Sequence, residues 1–260
     1  MSLVRIIPRL DIKGPNVVKG LCFDGYRVLG HPETFAQTYY REGADELFFQ
    51  DTVASLYKRN NLLEIVSRTA EKVMLPITVC GGIRTLDDIK VVLRSGGDKV
   101  AINTAAIKDP SIISSVARRF GSQCMVLSIQ AKRQTDRWEA YFDNGREHSG
   151  LDVLEWAKTG QRMGAGEILL TSVDQEGTAE GFDIDLVKAV EEIVDIPIIA
   201  SGGMGHLEDL DAVVFKAGAD AVAMAHVLHY QKYSAYNYSN AVEHLVPDCY
   251  LKNIYSVIAN

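Results

Sequence analysis

Two stretches carry the residue types that invite chemistry. Arg5-Ile6-Ile7-Pro8-Arg9-Leu10-Asp11-Ile12-Lys13 runs apolar into a carboxylate, Asp11. Val126-Leu127-Ser128-Ile129-Gln130-Ala131-Lys132-Arg133 runs apolar into an amide, Gln130. Both read as buried strands that end in a polar residue at the mouth of a fold. A carboxylate at such a position can take up and return a proton, whereas an amide can only donate and accept hydrogen bonds. Asp11 is the candidate acid or base, and Gln130 is the position that decides whether it has a catalytic partner.

Other polar or small residues stand at the ends of apolar runs: Asp51, Gly82, Asn103, Thr104, Ser172, Glu176, Gly177, Ser201, Gly203, Ala225 and His226. A buried core has no need of such a set. Gly81-Gly82 and Gly202-Gly203 each follow a strand-like run. A glycine pair lets backbone N–H groups come close to an anion. Gly82 with Asn103 and Thr104 forms one candidate phosphate site. Gly203 with Gly177, Ala225 and His226 forms the other. Two such sites imply a long substrate with a phosphate at each end. Lys19 in Val17-Val18-Lys19-Gly20 can bind phosphate or close over substrate.

These residues need a scaffold that gathers strand ends. The apolar runs are Arg5–Asp11, Glu46–Asp51, Ile77–Cys80, Lys99–Asn103, Met125–Gln130, Glu167–Ser172, Ile198–Ser201 and Ala221–Ala225. They are apolar on both faces of the pleat, as parallel strands covered by helices must be. Between them, Thr34–Arg41, Leu62–Lys72, Leu86–Arg94, Ser111–Phe120, Leu151–Met163, Leu186–Ile193, Leu207–Lys216 and roughly Asn237–Leu245 repeat apolar residues at helical spacing. Thr85, Asp109-Pro110 and Asp183 cap three of these starts. Strict alternation predicts an α/β fold, the (β/α)8 or TIM barrel, with the site at the C-terminal ends of the strands.

The chain also repeats itself at an offset of about 120 residues. Leu75-Pro76-Ile77-Thr78-Val79-Cys80-Gly81-Gly82 matches Ile196-Pro197-Ile198-Ile199-Ala200-Ser201-Gly202-Gly203, and Gly97-Asp98-Lys99-Val100-Ala101 matches Ala219-Asp220-Ala221-Val222-Ala223. Two half-barrels follow, about 1–122 and 123–245 within a single domain, with a tail at 246–260. Trp138–Phe142, the turn Asp143-Asn144-Gly145 and Arg146–Ser149 predict a β-hairpin inserted after the fifth barrel strand, able to cover a substrate. At the opposite end, Arg5, Glu46, Lys99 and Glu167 start four strands. Pointed inward, they would close a ring of ion pairs that plugs or gates the barrel.

Composition bounds the partners. The 260 residues are 47% hydrophobic and 23% charged, which suffices for a large core. A net charge of -7 argues against a nucleic-acid surface. No apolar run approaches membrane-spanning length, and no signal peptide is visible, so no membrane role is expected. Cys22, Cys80, Cys124 and Cys249 are widely spaced, which suits a cytoplasmic protein with reduced thiols. Neither these nor the histidines have metal spacing, and neither a metal nor a cofactor is expected.

The motifs Leu10-Asp11-Ile12-Lys13, Val17-Val18-Lys19-Gly20, Asp51 with Ala54-Ser55, Gly81-Gly82-Ile83, Asp98-Lys99-Val100, Ile102-Asn103-Thr104 and Ile198-Ile199-Ala200-Ser201-Gly202-Gly203 resemble the HisF family, the cyclase subunit of imidazole glycerol phosphate synthase. The resemblance runs from Arg5 to Tyr230. It implies a HisH-like glutaminase docked at the barrel bottom near Asp98. It implies ammonia passing a gate at Arg5, Glu46, Lys99 and Glu167. At the mouth, it implies cyclisation of a two-phosphate ribulosyl nucleotide by two aspartates acting as general acid and base. Asp11 matches the first aspartate; Gln130 stands at the second. Arg9 stands where the family has a small or thiol residue, Glu176 replaces an aspartate, His226 a serine and Cys80 a glycine. A kept bottom and a changed top resemble HisF-like proteins of bacterial surface-polysaccharide synthesis. There, ammonia would serve a third protein, an amidotransferase making an acetamidino sugar. The alternative is the histidine-pathway cyclase, and a third possibility is a scaffold whose mouth binds no phosphate.

Overall fold

A computed structural model describes residues 4–53 and 62–230. Eight parallel strands close on themselves. They are β1 (Arg5–Lys13), β4 (Leu47–Asp51), β5 (Ile77–Cys80), β6 (Lys99–Ile102), β7 (Met125–Arg133), β10 (Glu167–Ser172), β11 (Ile198–Ser201) and β12 (Ala221–Met224). Each pairs in parallel with the next, and β12 returns to β1 through Arg5 opposite Ala221. This is the expected (β/α)8 barrel.

Alternation along each strand sorts its side chains. One set, including Ile7, Phe48, Ala101, Val126, Leu169, Ile199, Ala221 and Ala223, packs inside the barrel. The other set packs outward against the helices, where Leu10, Leu47, Val79, Leu127 and Leu170 join a second continuous core. Burial on both faces explains why the strands read as unbroken apolar runs.

Two hairpins extend the barrel at its mouth. The strand β8 (Trp138–Phe142) pairs antiparallel with β7 and with β9 (Glu147–Asp152), as the Asp-Asn-Gly turn predicts. Asp143, Asn144 and Gly145 all have positive φ. The other hairpin has no turn signal in the sequence. After β1, β2 (Asn16–Leu21) and β3 (Asp24–Gly30) form an antiparallel pair on the same pattern. The half-barrel repeat therefore extends to the loops: β1 and β7 each carry a hairpin. The first escaped notice because Cys22 and Phe23, neither a usual turn former, hold its tip at φ 47° and 63°.

Several boundaries differ from expectation. Glu46 precedes its strand, and Asn103 and Ala225 lie just past theirs, as N-caps of short helices over Thr104–Lys108 and His226–His229. The helix expected from Leu151 starts at Val153, because Leu151 and Asp152 still belong to β9. The helix over Leu207–Lys216 divides into an α-helical turn, Leu207–Asp211, and a π-helical stretch, Ala212–Lys216. Thr85 caps its helix through a reciprocal bond with Asp88, and Asp183 accepts the Leu186 N–H. The expected helix near Asn237–Leu245, the tail 246–260 and the Ala54-Ser55 motif lie outside the described residues. No helix among the described residues is long and apolar enough to cross a membrane.

Candidate functional site

At the bottom of the barrel the four predicted charges meet. Arg5 Nη1 is 2.9 Å from Glu46 Oε2 and its Nη2 is 2.9 Å from Glu167 Oε1. Lys99 Nζ is 2.6 Å from Glu46 Oε1 and 3.0 Å from Glu167 Oε2. Each acid thus holds both bases, and the ring is closed. These are not splayed strand-end charges: the Glu46 side chain is only 5% exposed. Asp98 sits beside the ring on the exposed face, but its Oδ2 accepts the Ile77 N–H at 2.8 Å. Asp45 and Asp220 clasp Ile6 and Ile198 in the same way, so Asp98 has a structural task common to three strand starts. Above the ring lies the apolar inner layer of Ile7, Phe48, Ala101, Val126, Leu169 and Ile199.

The mouth is split into unlike halves. One half is a cavity of about 200 Å³ that collects Asp51, Gly82, Asn103, Thr104 and Gln130, with Arg84 and Lys108 among its walls. Asn103 donates to the Tyr141 carbonyl at 3.1 Å, while its Oδ1 is buried without a hydrogen-bond partner. Thr104 Oγ1 accepts the Asp143 N–H at 3.2 Å, tying the second hairpin to this wall. The Asp51 Oδ1 accepts the Val53 N–H at 2.9 Å. The other half gathers Lys19, Glu176, Gly177, Ser201, Gly203, Ala225 and His226, but around only about 20 Å³ of space. Space for a single water starts at about 10–15 Å³ on a comparable measure.

What fills the second half is a buried cluster of four charges. Arg9 Nε donates to Asp11 Oδ1 at 3.0 Å, and its Nη1 reaches Ser201 Oγ at 3.3 Å and lies 3.8 Å from Glu176 Oε2. Lys19 Nζ donates to Glu176 Oε1 and lies 3.7 Å from Asp11 Oδ2. Arg9, Asp11, Lys19 and Glu176 are 2%, 1%, 4% and 4% exposed, so none is a solvated loop charge. Burial alone would lower Arg9 and Lys19 and raise Glu176. The opposite charges win in each case: Asp11 and then Glu176 hold Arg9 high, Glu176 and then Asp11 hold Lys19 high, and Lys19 with Arg9 holds Glu176 low. All three stay ionised near neutral pH. The first hairpin seals the cluster: the Phe23 ring lies 5.0 Å from the Arg9 guanidinium carbon, and the Cys22 N–H donates to the Glu176 carbonyl at 2.8 Å.

Asp11 and Gln130 are therefore not presented as a pair. Gln130 lines the larger cavity, where its Oε1 accepts the Gly145 N–H of the hairpin turn at 2.8 Å. Asp11 lines neither cavity. Cys80 is buried beside them with its thiol pushed up to about 12, first by burial, which excludes it as a nucleophile near neutral pH. Gly203 has a packing duty: a Cβ there would lie 1.9 Å from the Gly181 carbonyl oxygen. No group of His, Cys, Asp and Glu among the described residues could hold a metal.

The residue missed as part of the site is Arg9. A signal was present. Arg5, Ile7, Arg9 and Asp11 share one face of β1 by simple alternation, so Arg9 had to point along the barrel axis with the gate arginine.

Comparison with known proteins agrees with the fold. The model of the family described as histidine biosynthesis protein matches residues 5–234. A Legionella pneumophila protein named imidazole glycerol phosphate synthase subunit HisF is 64% identical over 212 residues, covering 81% of this chain and all of that protein. Proteins of the same name from Bifidobacterium adolescentis and Bifidobacterium longum are 47% identical over 250 residues and 49% identical over 237 residues. They cover 94% and 88% of this chain and 97% and 92% of their own lengths. The chain, a closed eight-stranded barrel with an ion-pair ring at one end and a polar mouth at the other, thus belongs to the HisF family of histidine biosynthesis proteins.

Proposed function

We propose that this chain is the ammonia-receiving barrel of a HisF-type synthase, fed by a HisH-like glutaminase at its lower face, and that its own mouth does not run the two-carboxylate cyclisation. The ammonia route is supported by the closed ring Arg5–Glu46–Lys99–Glu167 beneath an apolar layer. Such a layer resists a charged ammonium ion and admits neutral ammonia at much lower cost. Docking of the glutaminase near Asp98 belongs to the same proposal.

One observation carries the second half. Asp11 is locked to Arg9 under the first hairpin, and an amide stands at Gln130. Loss of one general acid or base costs about 10²–10⁴ in rate. Ammonia that is not used at the mouth needs an acceptor elsewhere. On this account a third protein takes it, and an amidotransferase of surface-sugar synthesis fits that role; the three relatives described above do not carry such a name.

The shared name of the relatives supports the other reading, the cyclase subunit of imidazole glycerol phosphate synthase in histidine biosynthesis. It requires that Gln130 and the Arg9-bound Asp11 still move protons. Genetic complementation separates the two. Failure to restore histidine prototrophy in a cyclase-deficient strain, with the chain expressed and folded, is the expected result; full restoration would establish the histidine reading.

A further inference from the structure

We infer that Glu176, held by Arg9 and Lys19, acts as an internal counter-ion in the Gly203–His226 half of the mouth and restricts this barrel to ligands with one phosphate-type anion, bound in the Gly82–Asn103 half. The inference rests on the reading of Gly82, Asn103 and Thr104 as an anion site at the mouth, and it names the class of ligand.

Space is the first reason. The Gly203 half offers about 20 Å³ and the Gly82 half about 200 Å³. The first is room for a water, not for a phosphoryl group with its oxygens. Charge is the second. Arg9 and Lys19 are balanced by Asp11 and Glu176, all within the protein. Both buried cations are already paired, so a phosphate added there gains no unpaired Arg9 or Lys19 to offset its burial, which is unfavourable. Geometry is the third. Glu176 already presents one carboxylate oxygen to Lys19 and the other toward Arg9, as an anionic ligand would. Its backbone carbonyl also anchors the hairpin through Cys22. Gly177 lets the hairpin come close, since a Cβ there would lie 2.7 Å from the Gly20 carbonyl oxygen. A second anion would have to expel Glu176 and lift the hairpin with it.

The larger half lacks such a plug. It has the room that the other half lacks, and Arg84 and Lys108 stand in its wall with Asp51 and Asp143. The two halves match in the sequence repeat, but side chains of the protein fill one of them.

The test is the stoichiometry of inorganic phosphate on the full chain, read by calorimetry at fixed ionic strength. The wild type should bind one phosphate, and Glu176→Ala should bind two. Pentane-1,5-diol bisphosphate and pentyl phosphate provide a second measurement that does not depend on the variant. The wild type should bind both alike within the statistical factor, whereas an open second site would favour the bisphosphate by about tenfold or more through linkage. Two phosphates on the wild type, or a tenfold preference for the bisphosphate, overturns the inference while leaving an anion-binding mouth intact. No phosphate on the wild type removes the anion-binding mouth itself.

Discussion

Replacing Arg9 with alanine takes one of two cations from a buried four-charge cluster. Asp11 keeps only Lys19, 3.7 Å away, and Glu176 loses its second base. With Arg9 2% exposed, water cannot take over its role without opening the hairpin over Phe23. Removing one member of a buried ion pair costs about 3–5 kcal/mol, and at about 2–4 °C per kcal/mol for a chain of this size the melting temperature should fall by roughly 6–20 °C. The assay is thermal unfolding followed by circular dichroism at pH 7. A paired change sharpens it. Arg9→Met with Asp11→Asn leaves Lys19 balanced by Glu176, and this double variant should recover most of the loss, because replacing both partners of a buried pair is close to neutral. A fall of less than about 2 °C in Arg9→Ala would mark the arginine as no more valuable than a surface pair. A double variant less stable than Arg9→Ala would also refute the charge-balance account.

Glu176 and His229 make stability depend on pH in windows that open at different points as the pH falls. Glu176 sits below its unfolded value, so the unfolded chain binds the extra proton on acidification; stability falls below about pH 4.3, and Glu176→Gln should flatten that slope in urea midpoints. His229 is pushed down to about 3 by burial and then by Lys19, with its Nδ1 2.6 Å from the Tyr39 hydroxyl. Its stabilising effect is complete above about pH 6.5 and shrinks by about 2 kcal/mol on going down to pH 5; His229→Phe, beside Phe35, should remove that part of the pH dependence. At the other end, Lys99→Met leaves the buried Glu46 with Arg5 alone and should cost about 1.5–3 kcal/mol in urea unfolding, against almost nothing if the ring were solvated.

The ion-pair ring could be read from sequence because it needs little: four charges at strand starts, and alternation to point them inward. The barrel and its second hairpin were legible for similar reasons, apolar runs for the strands and Asp143-Asn144-Gly145 for the turn. The first hairpin was hidden by its turn, where Cys22 and Phe23 adopt positive φ without a glycine. That omission mattered, because the hairpin buries Lys19, which sequence alone left open as a loop residue. Arg9 was visible as an odd residue on the inward face of β1. Its partners were not, since Ser201 lies on β11 and Glu176 in the loop after β10. The two phosphate sites looked equivalent for the same reason: a repeat shows matching glycines, but not that a side chain from a third element has filled one site. Gln130 stood out only through the family resemblance, which expects a carboxylate there; in the structure its Oε1 accepts the Gly145 N–H.

The central claim is that ammonia intake is kept while the acid–base pair at the mouth is lost. Steady-state turnover of the two-phosphate ribulosyl nucleotide with ammonium salt, measured beside the Bifidobacterium longum relative, tests it most directly. The expected rate for this chain is lower by at least about 10²-fold. Equal rates would show that an amide at 130 and an Arg9-bound Asp11 suffice for cyclisation, and would contradict the account.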